Sequence, residues 1–209
     1  MADGSINLRG ARVFGLVSSL LARRGRPAPG AGHDLRDAGL TSLDLVNLML
    51  AVEVEFDIEI PQADMTPDNF RSIAAIEASS LGAAMHANPG YWAGGFAPAT
   101  FTVQYTTAPV ISNSSLATTP VSCLTSGTGS CAPALMAAFD VQDWATALHN
   151  VLPGYLATVN CSTIGFPVTC TIQIQWTENA VAANSQQTNI ASVGTTATSA
   201  PTYTLFVQP

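Results

Sequence analysis

Lysine is absent from this chain. Arg9, Arg12, Arg23, Arg24, Arg26, Arg36 and Arg71 carry all of its fixed positive charge, and after Arg71 only histidine is basic. With a formal net charge of -7 and no clustered Lys and Arg to neutralise phosphates, nucleic acid is excluded as a partner. An electrostatic partner should itself be basic. Long apolar runs are missing as well. Val13 to Ala22 is too short to span a bilayer and no small-residue cleavage site follows it, so it reads as an ordinary buried helix and no membrane span is expected. Cysteine is scarce and one-sided: Cys123, Cys131, Cys161 and Cys170 lie late in the chain at spacings that fit no metal site. Catalytic constellations are missing too. Asp140 and Asp143 stand one helical turn apart without a partner base, and His33 and His149 are isolated, so no catalytic residue is assigned and the chain is not expected to be an enzyme.

What is present divides sharply. Eleven of the fourteen acidic residues precede Leu81, leaving Asp140, Asp143 and Glu178, and beyond that point Ser, Thr, Ala, Asn and Gln take over. The step predicts two domains, 1–78 and 79–209, joined near residues 77–84. Overall the fold class is α+β: a small helical bundle, then an α+β head with an antiparallel sheet.

In the first part, Val13, Leu16, Val17, Leu20 and Leu21 recur at helical spacing before the breaker "GRPAPGAG". A second helix starts at or near Ser42, with Leu43, Val46, Leu50 and Val54 on one stripe, and closes before Pro61. The stretch "NFRSIAAIEASSL" supplies a third, with Phe70, Ile73, Ile76 and Leu81. Ser42 has two readings. It can be a helix N-cap, the commonest use of serine at such a place. It also stands where backbone N–H groups and the helix dipole stabilise an attached phosphate. The helix it opens has acids, Asp44, Glu53, Glu55, Asp57 and Glu59, and no base.

"DLRDAGLTSLDLVNLMLAVEVEFDIEIP" followed by "MTPDNFRSIAAI" resembles acyl carrier proteins over roughly the first 78 residues. The resemblance implies that Ser42 carries 4′-phosphopantetheine, whose thiol holds an acyl group, and that the chemistry belongs to fatty acid or polyketide biosynthesis in the cytoplasm. It further implies partners with basic patches, a phosphopantetheinyl transferase and acyl-transferring enzymes, docking on Asp44, Glu53, Glu55, Asp57 and Glu59. Reversing Glu53 and Glu55 to Lys should then weaken loading, most strongly at low salt. Thr41 departs from the family, where the residue before the serine is usually Asp.

In the second part, Tyr91, Trp92 and Phe96 follow a helix stop at Asn88-Pro89-Gly90 and are candidate core anchors. "SCAPALMAAFDVQDWATALHNVLPG" reads as a helix capped by Ser130, with Pro133 in its first turn and Leu135, Phe139, Trp144 and Leu148 facing a core. Strands are expected in "YLATVNC", "VTCTIQIQW" and "TYTLFVQ", the last two separated by a polar loop. If Cys161 faces Cys170 across a hairpin, then Val159 meets Ile172, Ala157 meets Ile174 and Tyr155 meets Trp176, and every inward residue finds an inward partner. A slip of one residue would expose the whole set. That register predicts a Cys161–Cys170 disulfide and, by exclusion, Cys123–Cys131; four free buried thiols are the alternative.

"MHANPGYW", the helix ending in "LPG" and the closing "VTCTIQIQW" look like the soluble head of minor type IV pilins of the pilus-modification type, over roughly residues 80–209. That resemblance implies a structural subunit of a surface filament, with other pilins as partners and a periplasmic or cell-surface setting. The leader and long apolar helix of those pilins are not found in this sequence. A cytoplasmic carrier and an exported pilin head point to an engineered or accidental fusion, with a natural gene fusion as the runner-up. The alternative function is a minor pilin subunit in which the helical module only solubilises the head. At the joint, either one helix runs from Ser72 to His86 and serves both cores, or the chain breaks at Ser79-Ser80 or Gly82.

Overall fold

The computed structural model describes residues 9–56, 59–60, 62, 65–118, 132–162, 167–177 and 200–209, with side chains from Val13 onward except those of residues 55 and 56. The spacing of apolar residues builds the first three helices. α1 (Arg9–Ala22) buries Val13, Val17 and Leu21, one turn apart, and α2 (Ser42–Phe56) buries Leu45, Leu48, Met49 and Val52. Leu35 and Leu40 of the intervening loop, Ile60, Phe70, Ile73 and Ile76 complete this first core. α3 (Ile73–Ala87) begins later than the apolar pattern implies. Residues 67–70 form turns instead, with the Asn69 amide donating to Thr66 O at 3.2 Å, and Ser72 caps the helix through its Oγ, which accepts the Ala75 amide at 3.2 Å.

α3 does not stop at the composition step. It runs without a break to Ala87 and is buried through both cores: Ile73 and Ile76 face the bundle, while Ala74, Ala75, Ala78, Leu81 and Met85 face the head. Of the two forms foreseen for the joint, the continuous helix is the one present. Ala74, Ala75, Ala78 and Gly82 keep much of its head-facing side small, which lets the sheet approach closely. A Cβ on Gly82 would lie 3.1 Å from Val207 Cγ2, so any larger residue there would have to push the Val207 side chain aside by a few tenths of an ångström. The seam is also tied by polar contacts: the Trp144 indole N–H donates to Glu77 O at 2.8 Å, and the Tyr203 hydroxyl donates to Asn69 Oδ1 at 3.2 Å.

The head continues with α4 (Pro89–Trp92), β1 (Thr100–Tyr105), β2 (Pro109–Ile111), α5 (Pro133–Val151), β3 (Leu156–Cys161), β4 (Cys170–Gln175) and β5 (Thr202–Val207). The strands form one antiparallel sheet in the order β2-β1-β3-β4-β5. Its inner face, including Phe101, Val103, Ala157, Val159, Ile172, Ile174, Leu205 and Val207, packs under α3 and α5, and α5 also packs on α1. The outer face is Thr, Gln and Asn with Leu156 and Phe206, the alternation of a half-buried sheet. The expected register holds: Cys161 pairs with Cys170, Val159 with Ile172 and Ala157 with Ile174. Tyr155 and Trp176 flank that ladder and are both buried. Cys161 and Cys170 form a disulfide, whereas Cys123 and Cys131, the candidate cap Ser130 and the polar loop at 178–199 lie outside the described residues.

Several expectations need correction. β1 and β2 extend the three foreseen strands to five. Proline sets the start of α5, whose N-cap is Ala132, with Pro133 in the first helical position where its missing N–H costs nothing. Leu135 and Phe96 point to solvent, since Leu135 sits in the first turn of α5 before the helix meets the core and Phe96 follows the turn at Gly94-Gly95. Trp144, Leu148, Tyr91 and Trp92 are buried as foreseen. Among the described residues no helix is long and apolar enough to cross a membrane, and no group of His, Cys, Asp or Glu could hold a metal ion.

Candidate functional site

The start of α2 is built by its own first turn. Thr41, not Ser42, is the cap. The Thr41 hydroxyl and amide donate to Asp44 Oδ2 at 2.6 and 2.7 Å, and Thr41 Oγ1 accepts the Asp44 amide at 3.3 Å. This is a capping box in which Asp44 takes the part usually played by Glu or Gln. Arg24, just beyond α1, closes on the same carboxylate with Nη2 at 3.0 Å from Oδ1 and 2.8 Å from Oδ2. The Thr41 hydroxyl and amide, more than the Arg24 charge, hold the Asp44 carboxyl below its ordinary range.

Ser42 therefore occupies the first helical position rather than the cap. Its side chain is exposed and its hydroxyl has no hydrogen-bond partner among the described residues. The first N–H groups of a helix have no intrahelical acceptor, and the helix dipole favours negative charge at that end. With Asp44 engaged by Thr41 and Arg24, a phosphate ester on Ser42 Oγ would meet donors and no free carboxylate from its own turn. The residues present fit a phosphate-linked arm at Ser42. The departure at Thr41 thus has a structural account: it does the capping and leaves the next hydroxyl free.

Two of the five docking acids have partners within the fold. Asp44 is held as described, and Glu53 accepts the Ile60 amide on Oε1 at 3.0 Å. Glu59 is exposed, Asp57 lies outside the described residues, and nothing is described of the Glu55 side chain. The outward stripe of α2 is apolar instead: Leu43, Val46, Leu50 and Val54 are 70%, 49%, 53% and 84% exposed. Sequence reading takes this stripe for the core face because α2 carries apolar residues on both sides. The true core set, Leu45, Leu48, Met49 and Val52, is an equally good helical match.

Elsewhere one group stands out that the sequence does not flag. The Glu77 side chain is buried where α3 meets the head, and its Oε1 has no hydrogen-bond partner. Burial, with a smaller contribution from Asp143 on α5, pushes its pKa up to about 8. His149 stacks on Tyr105, with centroids 3.9 Å apart, as a surface pair.

Residues 11–79 match the family described as the phosphopantetheine attachment site. The chain is 48% identical over 67 residues to aminoacyl carrier protein 1 of Bradyrhizobium diazoefficiens, covering 32% of this chain and 74% of that protein. It is 42% identical over 78 residues to aminoacyl carrier protein 2 of the same organism, covering 37% of this chain and 86% of that one. Among solved structures, a chain in the complex of Bradyrhizobium japonicum glycine–carrier protein ligase with glycylated carrier protein is 44% identical, with 34% of this chain and 96% of that chain covered and a TM-score of 0.30.

Proposed function

Because this chain belongs to the family of carrier proteins with a phosphopantetheine attachment site, we propose that Ser42 bears the arm and that the cargo is an aminoacyl group. The carrier part is not an enzyme, and its cofactor is covalently attached 4′-phosphopantetheine. When bound, that group supplies a terminal thiol that holds the cargo as a thioester. The chain's own residues present and orient: Thr41 and Asp44 fix the first turn of α2, Arg24 pins that turn to the end of α1, and the Ser42 hydroxyl is left to be esterified. No base is needed on the carrier, since the modifying enzyme activates the hydroxyl. The observation that carries the attachment reading is that Thr41 does the capping work that would otherwise occupy Ser42.

The aminoacyl reading is supported by the two relatives, both aminoacyl carrier proteins, in place of the fatty or polyketide chains suggested by the sequence alone. Its test starts from the arm-bearing protein, treated in parallel with ATP, glycine and a glycine-specific carrier-protein ligase, and with ATP, octanoate and an acyl ligase. A mass gain of one glycyl group with no octanoyl product is expected; octanoyl loading alone would reverse the assignment of cargo.

For residues 80–209 our reading remains a minor pilin head. A helical spine on an antiparallel sheet and the Cys161–Cys170 link support it. The unpaired Glu77 supports a fusion origin, since a carboxyl that water would solvate on a free carrier here lies under α5. A pull-down from a piliated cell extract that recovers no pilin would remove the pilin reading.

A further inference from the structure

We propose that the free edge of β5 is a docking site for the C-terminal strand of a partner polypeptide, which adds to the sheet antiparallel to β5 and sets its terminal carboxylate against Arg71. The proposal stands independently of the arm on Ser42. The sheet ends at β5, and the register decides what that edge offers. The Trp176 amide donates to Pro201 O at 3.2 Å, so the pairs of the same parity, Ile174 with Tyr203, Ile172 with Leu205 and Cys170 with Val207, exchange the ladder hydrogen bonds. The N–H and C=O groups of Thr202, Thr204 and Phe206 therefore point away from β4, and among the described residues no backbone group meets them. Proteins blunt sheet edges with short strands, proline or charge. The other edge strand, β2, is three residues long and begins with Pro109, whereas β5 runs six residues with neither proline nor charge, and its Phe206 is 77% exposed.

A groove already lies along this edge. Thr202 to Phe206 form one wall of a cleft of about 460 Å³, and Thr66, Asp68, Asn69 and Arg71 form the other. The Tyr203 hydroxyl, donating to Asn69 Oδ1 at 3.2 Å, ties the two walls together. A second cavity of about 280 Å³ shares Arg71, Thr202 and Tyr203 with the groove and adds His33 and Ser72, so Arg71 stands at the Thr202 end of the strand. Arg71 is the last fixed cation of the chain and is exposed, and among the described residues its guanidinium has neither an ion pair nor a hydrogen bond. His33 accepts the Gly30 amide on Nδ1 at 3.1 Å, which leaves Nε2 as a further donor. A strand antiparallel to β5 enters at Phe206 and ends at Thr202, so its carboxylate arrives at these donors; a parallel strand would bring its ammonium group to Arg71 instead. Charge thus fixes the direction, while main-chain hydrogen bonds supply the contact. Asp68, which lines the groove but not the smaller cavity, favours a basic side chain upstream of that carboxylate. Both parts of the chain contribute a wall, and the unbroken α3 joins them.

Fluorescence polarisation with the full, oxidised chain tests this, using a labelled eight-residue peptide of alternating valine and threonine with one lysine near its free C-terminus. The peptide should bind the unaltered protein, and converting its carboxylate to an amide should weaken binding about tenfold or more. Arg71→Gln should bind the acid and amide forms alike. Thr204→Pro removes one outward N–H without touching the β4 ladder and should abolish binding; thermal melts confirm that both variants fold. Failure of the free-acid peptide to bind at millimolar concentration, equal affinity of the two forms for the unaltered protein, or an Arg71→Gln variant that still prefers the acid would each overturn the proposal. Elution of the unaltered protein as a dimer that Thr204→Pro converts to a monomer would give the edge to a second copy of the chain and overturn it as well.

Discussion

Replacing Glu77 by Gln should flatten the dependence of stability on pH. The carboxyl is 2% exposed, its Oε1 is unpartnered, and its folded pKa stands at about 8 against 4.5 for the free group. Above pH 4.5 the unfolded chain releases this proton while the folded chain keeps it, so stability is greatest below 4.5, falls as pH rises, and levels off past 8. At about 1.4 kcal/mol per pH unit, the 2.5 units from 4.5 to 7 remove about 3 kcal/mol. Glu77→Gln cannot titrate and keeps the volume, but it leaves a buried amide that costs about 1–2 kcal/mol when unpaired. The variant should therefore be near neutral or slightly destabilised at pH 5, and more stable than the parent by about 1 kcal/mol or more at pH 8. Urea unfolding of the oxidised protein at pH 5, 7 and 8, followed by tryptophan fluorescence, reads this directly, because all other titrating groups cancel in the difference. Parallel pH profiles for the two proteins would refute the argument and mean that the carboxyl is solvated.

Four further outcomes are expected. Gly82→Val should destabilise by about 2 kcal/mol or more, since the new side chain meets Val207 with 3.1 Å available to its first carbon; a chemical melt checks it. Reducing the Cys161–Cys170 bond, which closes a separation of nine residues, should cost about 2.5 kcal/mol on the chain-entropy model, and peptide mapping without reduction should recover that pair. Thr41→Ala should cost about 1 kcal/mol by uncapping α2, read in a urea melt. Acid should release the same cap: with the Asp44 carboxyl held low, its contribution is present above the ordinary carboxylate range and lost as pH falls through the folded value, seen as local amide exchange at the start of α2.

The bundle, the continuous helix and the β3–β4 register are legible in the sequence because each rests on periodicity, and a one-residue slip would expose a whole face. β1 was not foreseen, because it is short and only Phe101 and Val103 among its residues are buried, too brief an alternation to stand out. Burial of a specific face is harder to read. α2 has two apolar stripes, each at helical spacing, and only the packing partner decides which is inside. Whether an acid is free or engaged is invisible as well, since the partners of Asp44 and Glu53 come from Arg24, Thr41 and Ile60. The position of Ser42 was readable but its availability was not: that depended on Thr41 taking the cap. Glu77 looks like one more solvated helix acid until α5 is placed over it.

Whether Ser42 bears the arm is decided by peptide-level mass spectrometry of the full chain after incubation with coenzyme A and a transferase. One phosphopantetheine is expected on the peptide that contains Ser42, and none on a Ser42→Ala variant under the same conditions. Modification on another serine, or a Ser42→Ala variant that loads like the parent, would contradict it.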